Sequence, residues 1–298
     1  MNKTVTIGIP TYNRKDLLQI MAASLYESDL LINHHIRIYD DGSTEYGVYE
    51  LSEMFPTAVS IMKNKVNLKA DRNIYQMYSD FIKTQDDYFF NADSDIIFNK
   101  GWLTKSMELL TKTKGVLSLF NSNGHREYEA VDYDLAIKKT TGSAGTLFTK
   151  ERLQEMLAHF DSMDMVKGFD WQWSEYFTDN NIPIFCARES LIQHIGYKGQ
   201  NAGYSFDFGR NYKINTVKDG QIINDILEKY IDTVRELEIK RNRIDREKEN
   251  LDNNLIYHLK RCIKILAKLM ISQRPNSESA IPERKILKPK SLYLWTKT

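Results

Sequence analysis

Short apolar runs broken by polar turns dominate the first part of the chain. Residues 5–9 read as a buried strand, followed by the loop PTYNR. Over 15–27 the apolar positions Leu17, Leu18, Met21, Ala22 and Leu25 fall on one helical face. Residues 35–39 return to a strand that runs into DDGST, where Gly42 and Ser43 predict a tight turn. Helical spacing follows over 46–54 and 71–82, with a strand at 59–62 between them. Tyr88-Phe89-Phe90 predicts a central strand and Ile96-Ile97-Phe98 a short one, with a helix over 100–111 and a strand over 115–121.

Strands and helices alternating at this spacing predict a mostly parallel sheet with helices on both faces. Ligands of such sheets sit beyond the C-terminal ends of the strands. The segments PTYNR, YDDGS and NADSD each begin where a strand ends, so all three are expected to line one crevice.

After residue 131 the pattern changes. An edge strand is expected near Ala136, then the GSAGTLF segment, a helix over 150–159 and a helix over 171–177. A strand at 183–187 leads into SLIQHIGYKGQNAG, which reads as a glycine-bearing loop. We divide the chain into a body over 1–215, with halves 1–125 and 126–215, and a helical extension over 216–298.

In that extension, residues 222–250 form a long charged helix. Ile223, Tyr230, Leu237, Ile244 and Leu251 recur every seven residues, while Thr233, Lys240 and Glu247 leave the seam half polar. The expectation is an arm packing on the body or on a partner, with a homodimer formed through 222–251. Over 255–271, Lys260, Arg261, Lys264 and Lys268 lie opposite Leu255, Leu259, Cys262, Ile263, Leu266 and Met270. That is the pattern of an interfacial helix, and equally of one docked on protein.

Charge sharpens this picture. Residues 251–298 hold ten Lys or Arg against three acids, a charge of +7, whereas the other 250 residues hold 31 against 37, a charge of −6. An acidic body excludes a nucleic-acid reader, and a basic tail points to an anionic surface such as a bilayer, bound peripherally. The two cysteines, Cys186 and Cys262, lack metal-ligand spacing and point to a reducing compartment. The N-terminal apolar run is too short for a signal peptide and no stretch is long enough to span a bilayer. The expected location is the cytoplasm, with peripheral attachment to the inner face of a bacterial cell membrane.

Candidate chemistry gathers in the three polar segments. Asp93 and Asp95 interrupt an apolar stretch and repel each other, an arrangement that calls for a cation, and hard oxygen ligands suit Mg²⁺ or Mn²⁺. Of Asp40 and Asp41, one can accept hydrogen bonds from a nucleoside and the other cap the turn, and spacing does not separate them. His194 is a candidate third metal ligand, and Lys198, four residues on, faces phosphates. Asp170, set among Phe169, Trp171 and Trp173, has the apolar surround that suits a general base. It could equally be the N-cap of the helix over 171–177, with the tryptophans as core. Neither GxGxxG nor GxxxxGK[ST] occurs, so a dinucleotide fold and a P-loop ATPase are excluded.

These segments resemble, in order, the family 2-type glycosyltransferases of the GT-A fold. VTIGIPTYNRKDLLQIMAASL is similar to that family's first strand, turn and helix, and IRIYDDGSTE to its second strand and turn. KNKVNLKADRN resembles its asparagine- and alanine-bearing segment, with Leu68 where glycine is usual. NADSD matches the metal-binding D-x-D, TGSAGTLFTKERL the acceptor-side segment, FDWQWSEY the acidic pair with Phe169 in place of the first acid, and IQHIG the late histidine. The resemblance covers residues 4–205.

It implies an α/β GT-A fold, a Rossmann-like mixed sheet flanked by helices, with a nucleotide-binding half, an acceptor-side half and a C-terminal helical extension. It implies an inverting, metal-dependent enzyme moving sugar from a UDP-sugar to an acceptor hydroxyl of a surface glycan or lipid-linked saccharide. Pro10, Tyr12, Arg14, Asp40, Asp41 and Arg72 would hold the nucleotide, with Asp93, Ser94 and Lys198 at the ribose and phosphates. Asp95, His194 and Asp93 would hold Mn²⁺ or Mg²⁺. Asp170 would be the base, with Trp171, Trp173 and Gly145 on the acceptor side. The rival readings are an inactive sugar-binding or assembly protein and a nucleotidyltransferase on the same fold.

Overall fold

The structure is a computed structural model that describes residues 3–122, 125, 127–160, 168–197, 207–214 and 216–272. The chain divides into two compact units, Met1–Arg235 and Glu236–Thr298.

The first unit is built on a nine-stranded sheet. Its parallel part runs β3 (Ala58–Lys63), β2 (His34–Asp40), β1 (Val5–Thr11) and β4 (Tyr88–Asn91). Alternation along β1 shows why it is central. Val5, Ile7 and Ile9 enter a core with Leu18, Met21 and Leu25 of α1 (Lys15–Glu27). On the opposite face Gly8 leaves room for Phe89 and Met77: a Cβ there would lie 2.4 Å from the Phe89 ring.

The same alternation separates two packed layers. α1, α2 (Val48–Met54) and α4 (Trp102–Leu110) supply Leu51, Trp102 and Leu103 to one core. α3 (Ala70–Ile82), α5 (Lys150–His159) and α6 (Phe169–Asp179) supply Met77, Phe81, Met156, Trp173 and Phe177 to the other. The fold is that of a GT-A glycosyltransferase, a large mixed sheet flanked by helices and followed by a long helix.

Two strands depart from the sequence-based expectation. β9 (Thr146–Thr149), inside the GSAGTLF segment, inserts antiparallel between β4 and β6 (Val116–Ser118). Beyond it, β10 (Ile184–Ala187) is parallel to β6, then β8 (Leu135–Lys138) and the edge strand β7 (Glu127–Ala130) are antiparallel. The sheet is therefore mixed, and only its first half is parallel. β9 is short and shows no polar alternation, because it is covered on both faces. The second departure is β11 (Ile192–His194), which pairs antiparallel with β5 (Ile96–Phe98) in a separate two-stranded sheet.

The extension is one helix, α7 (Val217–Ser272), rather than two segments. Ile223 and Ile226 are buried with Leu17, Ile97 and Ile195, so the first member of the heptad series packs on the body. Within the second unit the described side chains are exposed, with an i,i+4 pair between Arg243 and Glu247 at 3.0 Å. A solvated pair of this kind contributes about 0.3–0.5 kcal/mol. Among the described residues no helix is long and apolar enough to cross a membrane.

Candidate active site

Parallel pairing of β2, β1 and β4 brings the three polar segments to one end of the sheet. A cavity of about 360 Å³ opens there, and Pro10, Tyr12, Arg14, Asp41, Asp93, Ser94, Asp95 and His194 all line it.

The loop after β1 takes an unusual conformation to do this. Asn13 and Arg14 both have left-handed backbones, with φ of 53° and 58°. Each costs a non-glycine residue about 1–2 kcal/mol. Hydrogen bonds offset part of that cost: the Asn13 N–H donates to Ser43 Oγ at 2.8 Å, and Asn13 Oδ1 accepts from the Thr44 N–H at 2.8 Å. Arg14 starts α1 without capping it by its side chain. Its guanidinium instead reaches Asp95 Oδ2 at 2.5 Å and Ser94 Oγ at 3.2 Å.

The geometry separates Asp40 from Asp41. Asp40 is wholly buried and absent from the cavity lining. Its Oδ1 accepts from the Ser43 N–H at 2.9 Å, and its Oδ2 lies 2.9 Å from Lys63 Nζ, so it closes the turn. Asp41 faces the cavity and accepts from the Leu68 N–H at 2.7 Å and Asn64 Nδ2 at 3.1 Å.

Asp93 and Asp95 differ in charge state as well as in position. Burial, and then the charge of Asp95, push the Asp93 carboxyl up to about 6, although Asn91 Nδ2 donates to it at 2.5 Å. Burial also acts upward on Asp95, but His194 and Arg14 outweigh it and hold that carboxyl well below the usual range. His194 Nε2 lies 3.3 Å from Asp95 Oδ1. Burial alone would lower the imidazole, yet Asp95 and Asp93 together raise it. Gly196 backs this pair so closely that a Cβ there would fall 2.5 Å from Asp95 Oδ2.

Other expected residues lie elsewhere. Arg72 is exposed on α3 and does not line the cavity, whereas Asn73, one residue on, does. A helix turns 100° per residue, so neighbours in sequence face different ways. Lys69 and Asn67 also line the cavity and were missed, although the asparagine- and alanine-bearing segment contains both. Lys198 lies outside the described residues.

Asp170 is not part of the cavity wall either. Nor is it the N-cap of α6, a position held by Gly168. Asp170 sits in the first helical turn and accepts from the Trp171 N–H at 2.9 Å, while Asp71 Oδ1 accepts from the Phe169 N–H at 3.0 Å. Burial raises its carboxyl, and Asp71 adds to the effect. The buried Tyr78 hydroxyl stands within electrostatic reach of both Asp93 and Asp170; burial and those two charges hold it well above its ordinary value.

Of the two tryptophans, Trp171 is 52% exposed. Trp173 is fully buried against Phe148 and Phe177, with ring centroids at 5.6 and 5.7 Å, so it cannot present a surface to an acceptor. Gly145 is a packing position rather than a contact surface: its φ is +70°, and a Cβ there would fall 2.0 Å from Ile192 Cδ1.

Residues 6–132 match the family model described as Glycosyl transferase family 2. This part of the chain is a family 2 glycosyltransferase domain. It carries Arg14, Asp41, Asp93 and Asp95, and the activity of such a domain is glycosyl transfer. The match ends before Asp170 and His194. No curated protein matches the chain. Solved structures that resemble it include S. aureus TarS 1-349, which is 13% identical. That likeness covers 78% of this chain and 73% of that one, with a TM-score of 0.49.

Proposed function

We propose that this glycosyltransferase is an inverting enzyme that uses a UDP-sugar, with Asp170 as the base. One observation carries the reading: Asp93, Asp95, Arg14 and His194, drawn from four separate elements, converge on the cavity that Asp41 also lines. A base-edge acceptor at Asp41, and cations at Arg14 and Lys69, match the needs of a nucleoside diphosphate.

In that reaction the acceptor hydroxyl attacks the anomeric carbon on the face opposite the diphosphate. Its proton passes to Asp170, the new C–O bond forms, and the C–O bond to phosphate breaks. Arg14 and Lys69 would receive the charge that builds on the departing diphosphate. Asp170 is suited to its part because burial raises its basicity while Trp171 fixes its direction.

A divalent cation fits the donor set here, though no cluster of three His, Cys, Asp or Glu side chains poised to hold a metal occurs among the described residues. Asp95 and His194, with Asp93 beside them, offer hard carboxylates and an imidazole of the kind that takes Mn²⁺ or Mg²⁺. Two close carboxylates that push each other's pKa apart also gain from a cation. Such an ion would stabilise negative charge on the leaving diphosphate.

For α7 the reading is peripheral attachment to an anionic membrane, which favours a lipid-linked or surface-glycan acceptor. Leu255, Leu259, Ile263 and Leu266 are 58–68% exposed, with Lys260, Arg261 and Lys264 on the other side of the helix. Leu237, Ile244 and Leu251 are also exposed at heptad spacing, which supports a second reading of self-association.

Calorimetric titration of UDP in MnCl₂ and in EDTA tests the core of the proposal. Metal-dependent UDP binding is the expected result, and no binding in either condition rejects it.

A further inference from the structure

The loop between β8 and β9 leaves an opening beside Asp170. Apart from its chain neighbours, a Cβ built on Gly142 would meet two described atoms within 4 Å: Asp170 Oδ2 and His125 Nε2, each at 3.8 Å. Neither crowding nor a left-handed backbone requires glycine at this position. The glycine is held firmly all the same. Its carbonyl accepts from Thr146 Oγ1 at 3.0 Å and from Thr141 Oγ1 at 3.2 Å, and the Thr141 N–H donates to Ser174 Oγ at 3.3 Å. The Ser143 N–H also bonds the Asp170 carboxylate. A fixed loop thus keeps a carboxylate and an imidazole on either side of a space that no side chain fills.

His125 is aimed into that space by its other contacts. Its Nδ1 lies 3.1 Å from Thr140 Oγ1, which leaves Nε2 as the nitrogen toward Gly142. Burial, reinforced by Lys138, holds the imidazole below its ordinary pKa and therefore neutral, able to donate or accept according to tautomer. Its ring lies 5.3 Å from that of Trp171, whose half-exposed indole extends the wall with a flat apolar surface.

We propose that Gly142, His125, Asp170 and Trp171 form the acceptor subsite, a socket for a single sugar ring. The attacking hydroxyl rests on Asp170 Oδ2, a neighbouring hydroxyl on His125 Nε2, and an apolar ring face against Trp171. Two adjacent ring hydroxyls, each bonding at about 2.7–2.8 Å, suit two polar atoms that flank one empty side-chain position. A flat apolar wall beside paired polar groups is the complement of a carbohydrate rather than of a simple alcohol or an acyl chain. This inference rests on the glycosyl-transfer reading and goes beyond it by naming what holds the acceptor. It also assigns a role to Gly142: the absent methyl is the space the ring occupies.

Tryptophan fluorescence tests it, because Trp171 is exposed while Trp102 and Trp173 are buried. Wild type, Gly142→Ala and His125→Ala are titrated with a panel of methyl pyranosides in the presence of UDP and MnCl₂, and UDP affinity is measured separately. At least one glycoside should quench wild type. Gly142→Ala, which adds a methyl at ordinary contact distance, should weaken that response on the order of tenfold and leave UDP affinity within about twofold. His125→Ala should weaken it too. UDP binding with no glycoside response in wild type overturns the subsite alone, as does an undiminished response in both variants. Failure of wild type to bind UDP overturns the underlying reading as well.

Discussion

His194 Nε2 stands 3.3 Å from Asp95 Oδ1 because β11 pairs antiparallel with β5, with His194 in register with Ile96. The Ile195 N–H donating to the Asp95 carbonyl at 2.8 Å locks the same junction. A two-stranded ladder therefore joins residues from opposite ends of the catalytic body. His194→Ala should lower Mn²⁺ affinity about 10- to 100-fold, read by electron paramagnetic resonance of free Mn²⁺. Removal of metal by EDTA should weaken UDP binding in wild type more than in the variant. Equal Mn²⁺ affinity in the two proteins would count against His194 as a ligand.

The division of labour between Asp40 and Asp41 predicts opposite phenotypes. Asp40→Ala leaves Lys63 without its buried partner, and breaking a buried pair costs about 3–5 kcal/mol, so urea unfolding should show the loss. Asp41→Ala should unfold nearly as wild type does but bind UDP more weakly by calorimetry. The reverse pattern would exchange their roles.

Asp170 must be ionised to accept a proton, so transfer should be present above its pKa and lost as pH falls through it. Burial raises that pKa in the folded protein. The acid limb of kcat should thus lie above the ordinary aspartate value of 3.8. By the same sign, ionised Asp170 opposes folding, and the protein gains stability as this group takes up its proton. Asp170→Asn should reduce kcat about 10²–10⁴-fold and remove the limb without changing UDP affinity. A variant that turns over near the wild-type rate would reject the assignment.

Trp171 and Trp173 should separate cleanly. Trp173→Ala removes a fully buried ring and should cost about 3–5 kcal/mol, with a lower Tm. Trp171→Ala should change stability by no more than about 0.5 kcal/mol and raise the acceptor KM. Equal losses of stability would show that both tryptophans are core.

Removal of residues 255–298 should abolish flotation with phosphatidylglycerol vesicles while sparing UDP binding. Phosphatidylcholine vesicles should bind neither form, since the attraction requires anionic lipid. Sedimentation of the same pair checks self-association, and unchanged flotation would reject membrane attachment.

Much of the fold was legible because burial leaves a period. The α1 face predicted from Leu17, Leu18, Met21, Ala22 and Leu25 is the buried face of Lys15–Glu27. Strand ends carrying PTYNR, DDGS and NADSD could be placed at one edge because parallel strands share a direction. What escaped was short or two-sided. β9 and β11 have no alternation to read, since both faces of the first, and the partner of the second, are supplied by distant segments. The choice of Arg72 over Asn73 failed for a related reason: composition marks a segment as functional, while the rotation of a helix decides which residue points inward.

The sequence by itself determined the alternation of strands and helices, the three acidic or basic turns and the amphipathic character of the C-terminal helix. All of these are local, set by side-chain period and turn chemistry. Only the tertiary structure decided that His194 meets Asp95, that Asp40 is a turn partner of Lys63, that Trp173 is core and that Gly142 opens between Asp170 and His125. Each of those depends on register and packing between segments remote in the chain, and no local pattern encodes a distance across a sheet.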